Sequence, residues 1–163
     1  MTISEQDLHH LRRCVALAEE AVAAGDQGFG SVLVGADGTV LAEDRNRIHS
    51  REPTWHPEIA LARWAAEHLG EQERAAATLY TSGEHCPMCS AAHAWAGLGR
   101  IVYASSAAQF GQWCQEWGLP ASPVTPLSIQ QVAPSIEADG PVPELAAQLR
   151  ELHRRCFGVE SKD

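Results

Sequence analysis

Apolar side chains recur at helical spacing near both ends of the chain. Leucine, valine and alanine positions three and four apart predict one apolar helix face over residues 4–24. Ser4, with Asp7 three positions later, is close to a capping box at the start, and Gly25 follows the end. The same spacing over residues 144–157 predicts a final amphipathic helix.

The middle of the chain alternates short apolar runs with amphipathic segments. Asp37 and Gly38 form a hairpin signal between the first two runs and predict an antiparallel pair of strands. The later strands alternate with helices and need at least one parallel pair, so we expect an α/β fold with a mixed sheet. The proline-rich segment 119–143 predicts a loop with at most a short strand. The pattern predicts strands at 29–34, 39–46, 77–81 and 100–104, and helices at 57–69, 87–96 and 107–117.

Length and composition narrow the class of protein. The 163 residues fit one domain, and no apolar run approaches the roughly 18 residues that cross a bilayer. The polar N-terminus is unlike a secretory signal, so we expect a cytoplasmic protein with no membrane partner. The 21 acidic residues against 12 basic ones argue against a nucleic-acid partner and favour a small neutral substrate. Five cysteines, an odd number, argue against a disulfide framework.

Three residues with metal-binding side chains fall at the starts of predicted helices. These are His56, Cys86 and Cys89, and Pro57 and Pro87 follow the first two. Proline is favoured at the first helical position, and the partial positive charge of a helix N-terminus favours a thiolate. Three protein ligands with a fourth position left for water are typical of catalytic zinc. We therefore predict that His56, Cys86 and Cys89 bind Zn²⁺.

Glu58 lies two positions after His56, where its carboxylate would stand beside the metal without binding it. Such a group can take a proton from an activated water molecule and deliver it to a substrate. The combination predicts a hydrolytic enzyme that uses water as a reactant. Two alternatives stay open: the Cys-x-x-Cys pair as a redox pair, or a structural zinc site with His85 or His93 as fourth ligand.

Four stretches of the chain resemble the cytidine deaminase-like superfamily, and within it bacterial guanine deaminases and tRNA adenosine deaminases. The stretches are FGSVLV at 29–34, DRNR at 44–47, PTWHPEI at 53–59 and YTSGEHCPMC at 80–89. They contain the H-x-E and C-x-x-C parts of the zinc-deaminase signature. The resemblance covers about residues 5–106, the core of a single domain 1–163, and leaves 107–163 as a C-terminal extension of helix and loop.

This resemblance implies a three-layer α/β/α sandwich with a mixed five-stranded central sheet, usually assembled as a homodimer. It implies that the three ligands hold zinc and that Glu58 moves protons. It also implies that Asn46 hydrogen-bonds the substrate ring and that Phe29 lines the pocket. The implied reaction is the hydrolytic release of ammonia from a nucleobase or a similar amino-substituted ring.

Several residues near the site depart from the family pattern. Trp55 and Pro57 replace two alanines, while His85 and Gly28 replace two prolines. None of these changes removes a ligand or Glu58, so they bear on substrate choice. We expect Trp55 and Trp95 to stack on a flat substrate ring, with packing in the core or a dimer interface as the alternative. We expect His85 to contact the substrate.

The preferred substrate stays open. Segment 104–117 has Glu116 but lacks the aspartate with which guanine deaminases close their site. Modified purines, cytosine and azapyrimidines are therefore candidates beside guanine-like purines. A tRNA wobble adenosine deaminase is an alternative because its motifs are nearly the same, although Arg150, Arg154 and Arg155 lie among acidic residues. A non-catalytic zinc module is another, although it has no use for a free carboxylate beside the metal.

Overall fold

The computed structural model describes residues 2–161, which contain seven helices and five strands. Every helix and strand predicted from the apolar pattern is present within a few residues of its predicted bounds. The helices are α1 (Glu5–Ala23), α2 (Pro57–His68), α3 (Glu71–Ala76), α4 (Pro87–Ala96), α5 (Ala107–Glu116), α6 (Ile129–Val132) and α7 (Pro143–Cys156). The strands are β1 (Gly30–Val34), β2 (Val40–Arg45), β3 (Thr78–Gly83), β4 (Ile101–Ser105) and β5 (Ala138–Asp139).

The strands form one sheet in the order β2-β1-β3-β4-β5. β1 pairs antiparallel with β2 and with β3, whereas β3 with β4 and β4 with β5 are parallel pairs. Helix α4 connects the parallel strands β3 and β4, as parallel pairing requires a crossover. The predicted mixed five-stranded sheet is confirmed.

Helices cover both faces of this sheet. Successive strand residues point to opposite faces, so β1 places Val32 among the side chains of α1 and α7, and Leu33 among those of α2. The first core also contains Leu17 and Leu149, and the second contains Leu61. The predicted three-layer α/β/α sandwich is confirmed. No helix within residues 2–161 combines the length and the apolar character that crossing a membrane requires.

Two short helices and the fifth strand have no signal in the apolar pattern. None of the six described residues of α3 is buried, so its sequence carries no apolar stripe. Helix α6 has four residues, too few to show a period, although Ser128 and Gln131 form a capping box at its start. Strand β5 has two residues within the proline-rich segment, where the sequence predicts at most a short strand.

One edge of the sheet gathers the chain segments that carry the predicted site. β3 and β4 end there at Gly83 and Ser105, which are register partners, and the antiparallel β1 begins there. At Gly83, an added Cβ would lie 2.8 Å from the Phe29 ring, so glycine permits that close approach. The segments that precede α2 and α4 reach the same edge.

Candidate metal centre

The three predicted ligands lie at the N-termini of two helices. His56 is the N-cap of α2 and Cys86 is the N-cap of α4, with proline at the first helical position of each. Cys89 lies one turn into α4 and is buried. Among the described residues, the His56 side chain makes no hydrogen bond to the backbone of its own helix, whereas the Cys86 sulfur accepts one from the backbone N–H of Cys89, the third residue of α4. A sulfur that accepts such a bond can still bind a metal, so both side chains remain available to one.

The distances between these side chains match a zinc site. His56 Nδ1 lies 3.5 Å from Cys86 Sγ and 3.6 Å from Cys89 Sγ. A nitrogen about 2.0 Å and a sulfur about 2.3 Å from a tetrahedral zinc lie about 3.5 Å apart. Within residues 2–161, this is the one group of three or more His, Cys, Asp or Glu side chains close enough to share a metal. His85 and His93 fall outside it, so the described chain supplies three ligands and leaves a fourth position.

Hydrogen bonds among the three ligands shift the pKa values of their side chains. The pKa of Cys86 is lowered to about 4, because the Cys89 thiol, His56 and the backbone N–H of Cys89 all hydrogen-bond its sulfur. The pKa of Cys89 is raised, because its thiol hydrogen bonds to Cys86 and because it is buried. The hydrogen bond to Cys86 also raises the pKa of His56. These groups share protons that a metal would displace on binding.

Glu58 is the second residue of α2, and its side chain is buried beside the three ligands without joining them. Burial raises the pKa of its carboxyl group, and the nearby His56 opposes that rise. Glu58 Oε1 accepts a hydrogen bond of 2.9 Å from Thr81 Oγ1. A buried carboxyl group whose pKa is raised holds a proton more readily than an exposed one, which suits it to taking up and releasing protons.

Asn46 follows β2 directly and is 2% exposed. Its Oδ1 accepts a hydrogen bond of 3.1 Å from the backbone N–H of Ile48, which orients the side-chain amide. Its Nδ2 has no hydrogen-bond acceptor among residues 2–161 and is free to bind another group. The buried Asp26 holds the following loop by accepting hydrogen bonds from the backbone N–H groups of His49 and Ser50.

Phe29 is half-buried and packs against the C-terminal extension. Its ring centroid lies 5.3 Å from that of Phe110 on α5 and 4.8 Å from that of His153 on α7. His153 is buried, and neither ring nitrogen has a hydrogen-bond partner among the described residues. Neither Phe110 nor His153 is a predicted site residue: helical spacing marks Phe110 only as part of a helix, and no motif marks His153.

The remaining predicted residues lie in different surroundings. Trp55 is half-buried, donates a hydrogen bond of 3.1 Å to Asp44, and lies 4.5 Å from the guanidinium of Arg51. His85 is fully buried, and its ring contacts that of His93 edge-on with centroids 5.2 Å apart. Trp95 is 91% exposed near the C-terminal end of α4, about 13 Å along the helix axis from Cys86. The structure therefore does not bring Trp95 to the ligands of its own chain.

Glu84 is a further residue at this edge that the sequence did not indicate. Its two carboxylate oxygens accept hydrogen bonds from the backbone N–H of Ala107, at 2.9 Å, and of Ile129, at 3.0 Å. These are the first helical residues of α5 and α6. Glu84 thus ties the segment before Cys86 to the C-terminal extension. No local pattern marks it, because both partners are distant in sequence.

Comparison with known proteins assigns the core of the chain. Residues 4–105 match the family model for the cytidine and deoxycytidylate deaminase zinc-binding region. A guanine deaminase of Bacillus subtilis is 43% identical over 97 residues, covering 58% of this chain and 62% of that protein. A tRNA-specific adenosine deaminase of Agrobacterium fabrum is 41% identical over 88 residues, covering 52% of this chain and 57% of that protein. The chain thus spans about 60% of the length of these relatives.

Solved structures extend the likeness of fold to almost the whole chain. A guanine deaminase from Nitrosomonas europaea superposes with a TM-score of 0.70, covering 97% of this chain and 87% of that one at 18% identity. A structure of the Bacillus subtilis guanine deaminase gives a TM-score of 0.55 at 34% identity, covering 78% of this chain and 89% of that one. The first of these likenesses, at its low identity, concerns the fold alone.

Proposed function

Since the chain belongs to the cytidine and deoxycytidylate deaminase zinc-binding family, we propose that it is a zinc-dependent hydrolytic deaminase. Its substrate would be a nucleobase or a related amino-substituted heterocycle, and its products the corresponding oxo compound and ammonia. The observation that carries this proposal is the spacing of the ligand atoms of His56, Cys86 and Cys89, which matches that around a zinc ion. Glu58 is buried beside these three residues but does not belong to the ligand set.

The donor set fits zinc rather than a harder cation, because two of the three ligands are sulfur. When bound, zinc would act as a Lewis acid and lower the pKa of a water molecule at its fourth position to about 7. His56 and the two cysteines would hold the ion between two helix N-termini, whose partial positive charge stabilises the thiolates.

Glu58 would then carry the protons of the reaction. Its carboxylate accepts one proton from the attacking water and donates it to the ring nitrogen next to the amine-bearing carbon. It takes the second proton as the tetrahedral carbon collapses and delivers it to the departing amine, so that ammonia leaves. One residue thus serves as base and acid, an effect worth roughly 10²- to 10⁴-fold in rate.

Substrate contacts are proposed for a subset of the expected residues. The free Nδ2 of Asn46 is suited to an acceptor atom on the ring, and the Phe29 ring to its flat face. Trp55 borders His56 and stays a proposed substrate contact. The burial of His85 against His93 favours a packing role for it, and the exposure of Trp95 favours a surface role. The choice among guanine-like or modified purines, cytosine and azapyrimidines stays open.

A homodimer, which the family resemblance implied, stays part of the proposal. Trp95 would lie at its interface, because Ala91, Ala94 and Val132 border the same exposed surface on α4 and α6. Light scattering of the purified protein measures the oligomeric state directly.

An ammonia-release screen with zinc-loaded protein tests the proposed function. The panel contains guanine, adenine, cytosine, their nucleosides, oxidised or isomeric purines, and aminotriazines. We expect turnover of at least one free base or azapyrimidine, loss of turnover after chelation, and recovery with added zinc. A chain that binds one zinc and releases ammonia from none of these compounds would contradict the proposal and favour a non-catalytic zinc module.

A tRNA wobble adenosine deaminase is the second candidate, because a tRNA-specific adenosine deaminase is 41% identical over 88 residues. The charge distribution of the molecule bears on the choice between this candidate and a deaminase of small heterocycles.

A further inference from the structure

Two hydroxyl groups lie in an otherwise apolar layer of the protein. Ser31 of β1 and Thr81 of β3 are cross-strand register partners, and both are fully buried. They point to the same face of the sheet as Leu33 and Leu79, which belong to the apolar core beneath α2. Alanine and valine would fill these two positions without the cost of burying a polar atom. The presence of hydroxyl groups at these buried positions therefore needs a polar partner to explain it.

That partner is Glu58. Thr81 Oγ1 lies 2.9 Å from Glu58 Oε1, and Ser31 Oγ lies 2.9 Å from Thr81 Oγ1. Ser31 Oγ is also 3.5 Å from the same carboxylate oxygen. Thr81 donates to the Glu58 carboxylate oxygen, and Ser31 donates to Thr81. The two hydroxyl groups thus form a short series of hydrogen bonds that ends on Glu58.

The chain of hydrogen bonds distinguishes the two oxygens of the carboxylate. Both hydroxyl groups lie on the side of Oε1, whereas Oε2 accepts no side-chain hydrogen bond from residues 2–161. Oε1 is thus held against the sheet, and its contacts with the two sheet hydroxyl groups fix the orientation of the carboxyl plane. Oε2 is the oxygen without a side-chain partner in this range, and so the one that a reacting group can approach without displacing a hydroxyl group.

We propose that Thr81 is a positioning residue for Glu58, supported by Ser31, and that Oε2 is the oxygen that carries the proton. This inference rests on the proposed deaminase function. Neither hydroxyl group would touch the substrate or the metal. Their effect passes through the carboxylate, whose misplacement by a fraction of an ångström slows proton transfer more than it weakens substrate binding.

The kinetic test uses Thr81→Val, which keeps the shape of the side chain and removes the hydroxyl group. We expect kcat to fall about 10- to 100-fold, the scale of one hydrogen bond to a charged group, with KM changed less than about threefold. Thr81→Ser should restore most of kcat. Thr78→Val makes the same change at the other end of β3 and should leave kcat within about twofold of wild type.

Ser31→Ala tests whether Ser31 acts on Glu58 through Thr81. Because Ser31 acts mainly through Thr81, we expect about a 3- to 10-fold fall in kcat in the wild type and no further fall in a Thr81→Val background. If the effects of the two substitutions on kcat were fully additive, Ser31 would not act through Thr81. A Thr81→Val enzyme with unchanged kcat, or one whose KM alone rises, would overturn the positioning role.

Crystal structures of zinc-loaded wild type and Thr81→Val give a readout that needs no turnover. We expect the Glu58 carboxylate to rotate or to occupy two orientations in the variant, with zinc content unchanged. A carboxylate that keeps its orientation would overturn the inference. If the wild type releases no ammonia from any compound, the proposed function fails, and the crystal structures still decide whether Thr81 positions Glu58.

Discussion

At the scale of single residues, the candidate metal centre depends on two residues at helix N-cap positions. His56 and Cys86 hold N-cap positions, yet their side chains face each other across 3.5 Å. Backbone N–H groups of the two helices point at the sulfur atoms instead: that of Cys89 at Cys86, and that of Ile59 at Cys89. Two helix N-termini thus share the task of stabilising negative sulfur before any metal binds.

Replacing one sulfur tests this arrangement. We expect Cys86→Ser to weaken zinc binding by more than about 100-fold, because loss of a supporting residue alone typically costs 10- to 100-fold. Metal analysis after dialysis against a weak chelator measures the effect. Cys114→Ser is the matched control, since Cys114 lies on α5 outside the metal group. Equal zinc content in the two variants would show that Cys86 is not a ligand.

At the scale of elements, the sequence predicted the helices and strands that a regular pattern of residues marks. The helix starts at Pro57 and Pro87 and the main strands follow from proline positions and apolar spacing. The short α3, α6 and β5 follow from neither, because their residues are exposed or too few. Glu84 and His153 could not be found either, because each acquires its surroundings only when distant elements pack together.

Helix α7 carries a histidine whose burial makes the stability of the protein depend on pH. His153 is enclosed by the rings of Phe29, Phe110 and Trp113, and burial lowers its pKa to about 4. An unfolded histidine binds a proton below about pH 6.5 that the folded His153 does not. The free energy of unfolding therefore falls as the pH drops from about 6.5 toward 4.

His153→Phe should remove this contribution while keeping an aromatic ring in the pocket. Between pH 7.5 and pH 5.0 we expect the variant to lose about 2 kcal/mol less unfolding free energy than the wild type. Chemical denaturation at the two pH values measures the difference. His49→Phe, at an exposed position in the loop after β2, should keep the pH dependence of the wild type. An unchanged dependence in His153→Phe would show that His153 is not buried as a neutral ring.

At the scale of the whole molecule, charge separates the two enzyme candidates. The net charge is −9, and the arginines of α7 are paired with acidic side chains. Arg150 pairs with Glu116, while Arg154 and Arg155 pair with Glu151. This helix therefore offers little free positive charge to a phosphate backbone. The single domain and the cytoplasmic location stay predictions at this scale.

Binding of tRNA is the corresponding measurement. We expect affinity no tighter than non-specific binding, with Kd about 10⁻⁴ to 10⁻⁶ M near physiological salt. Fluorescence anisotropy with labelled tRNA at 50 and 200 mM salt tests this. Sub-micromolar binding that weakens steeply with salt would favour the tRNA adenosine deaminase instead.

We propose that three residues hold zinc while Glu58 alone moves protons. The most direct test is ammonia release by Glu58→Gln, measured on a sample whose zinc content is known. We predict about one zinc per chain and a fall in kcat of about 10²- to 10⁴-fold or more. Turnover within tenfold of wild type at full zinc occupancy would contradict it.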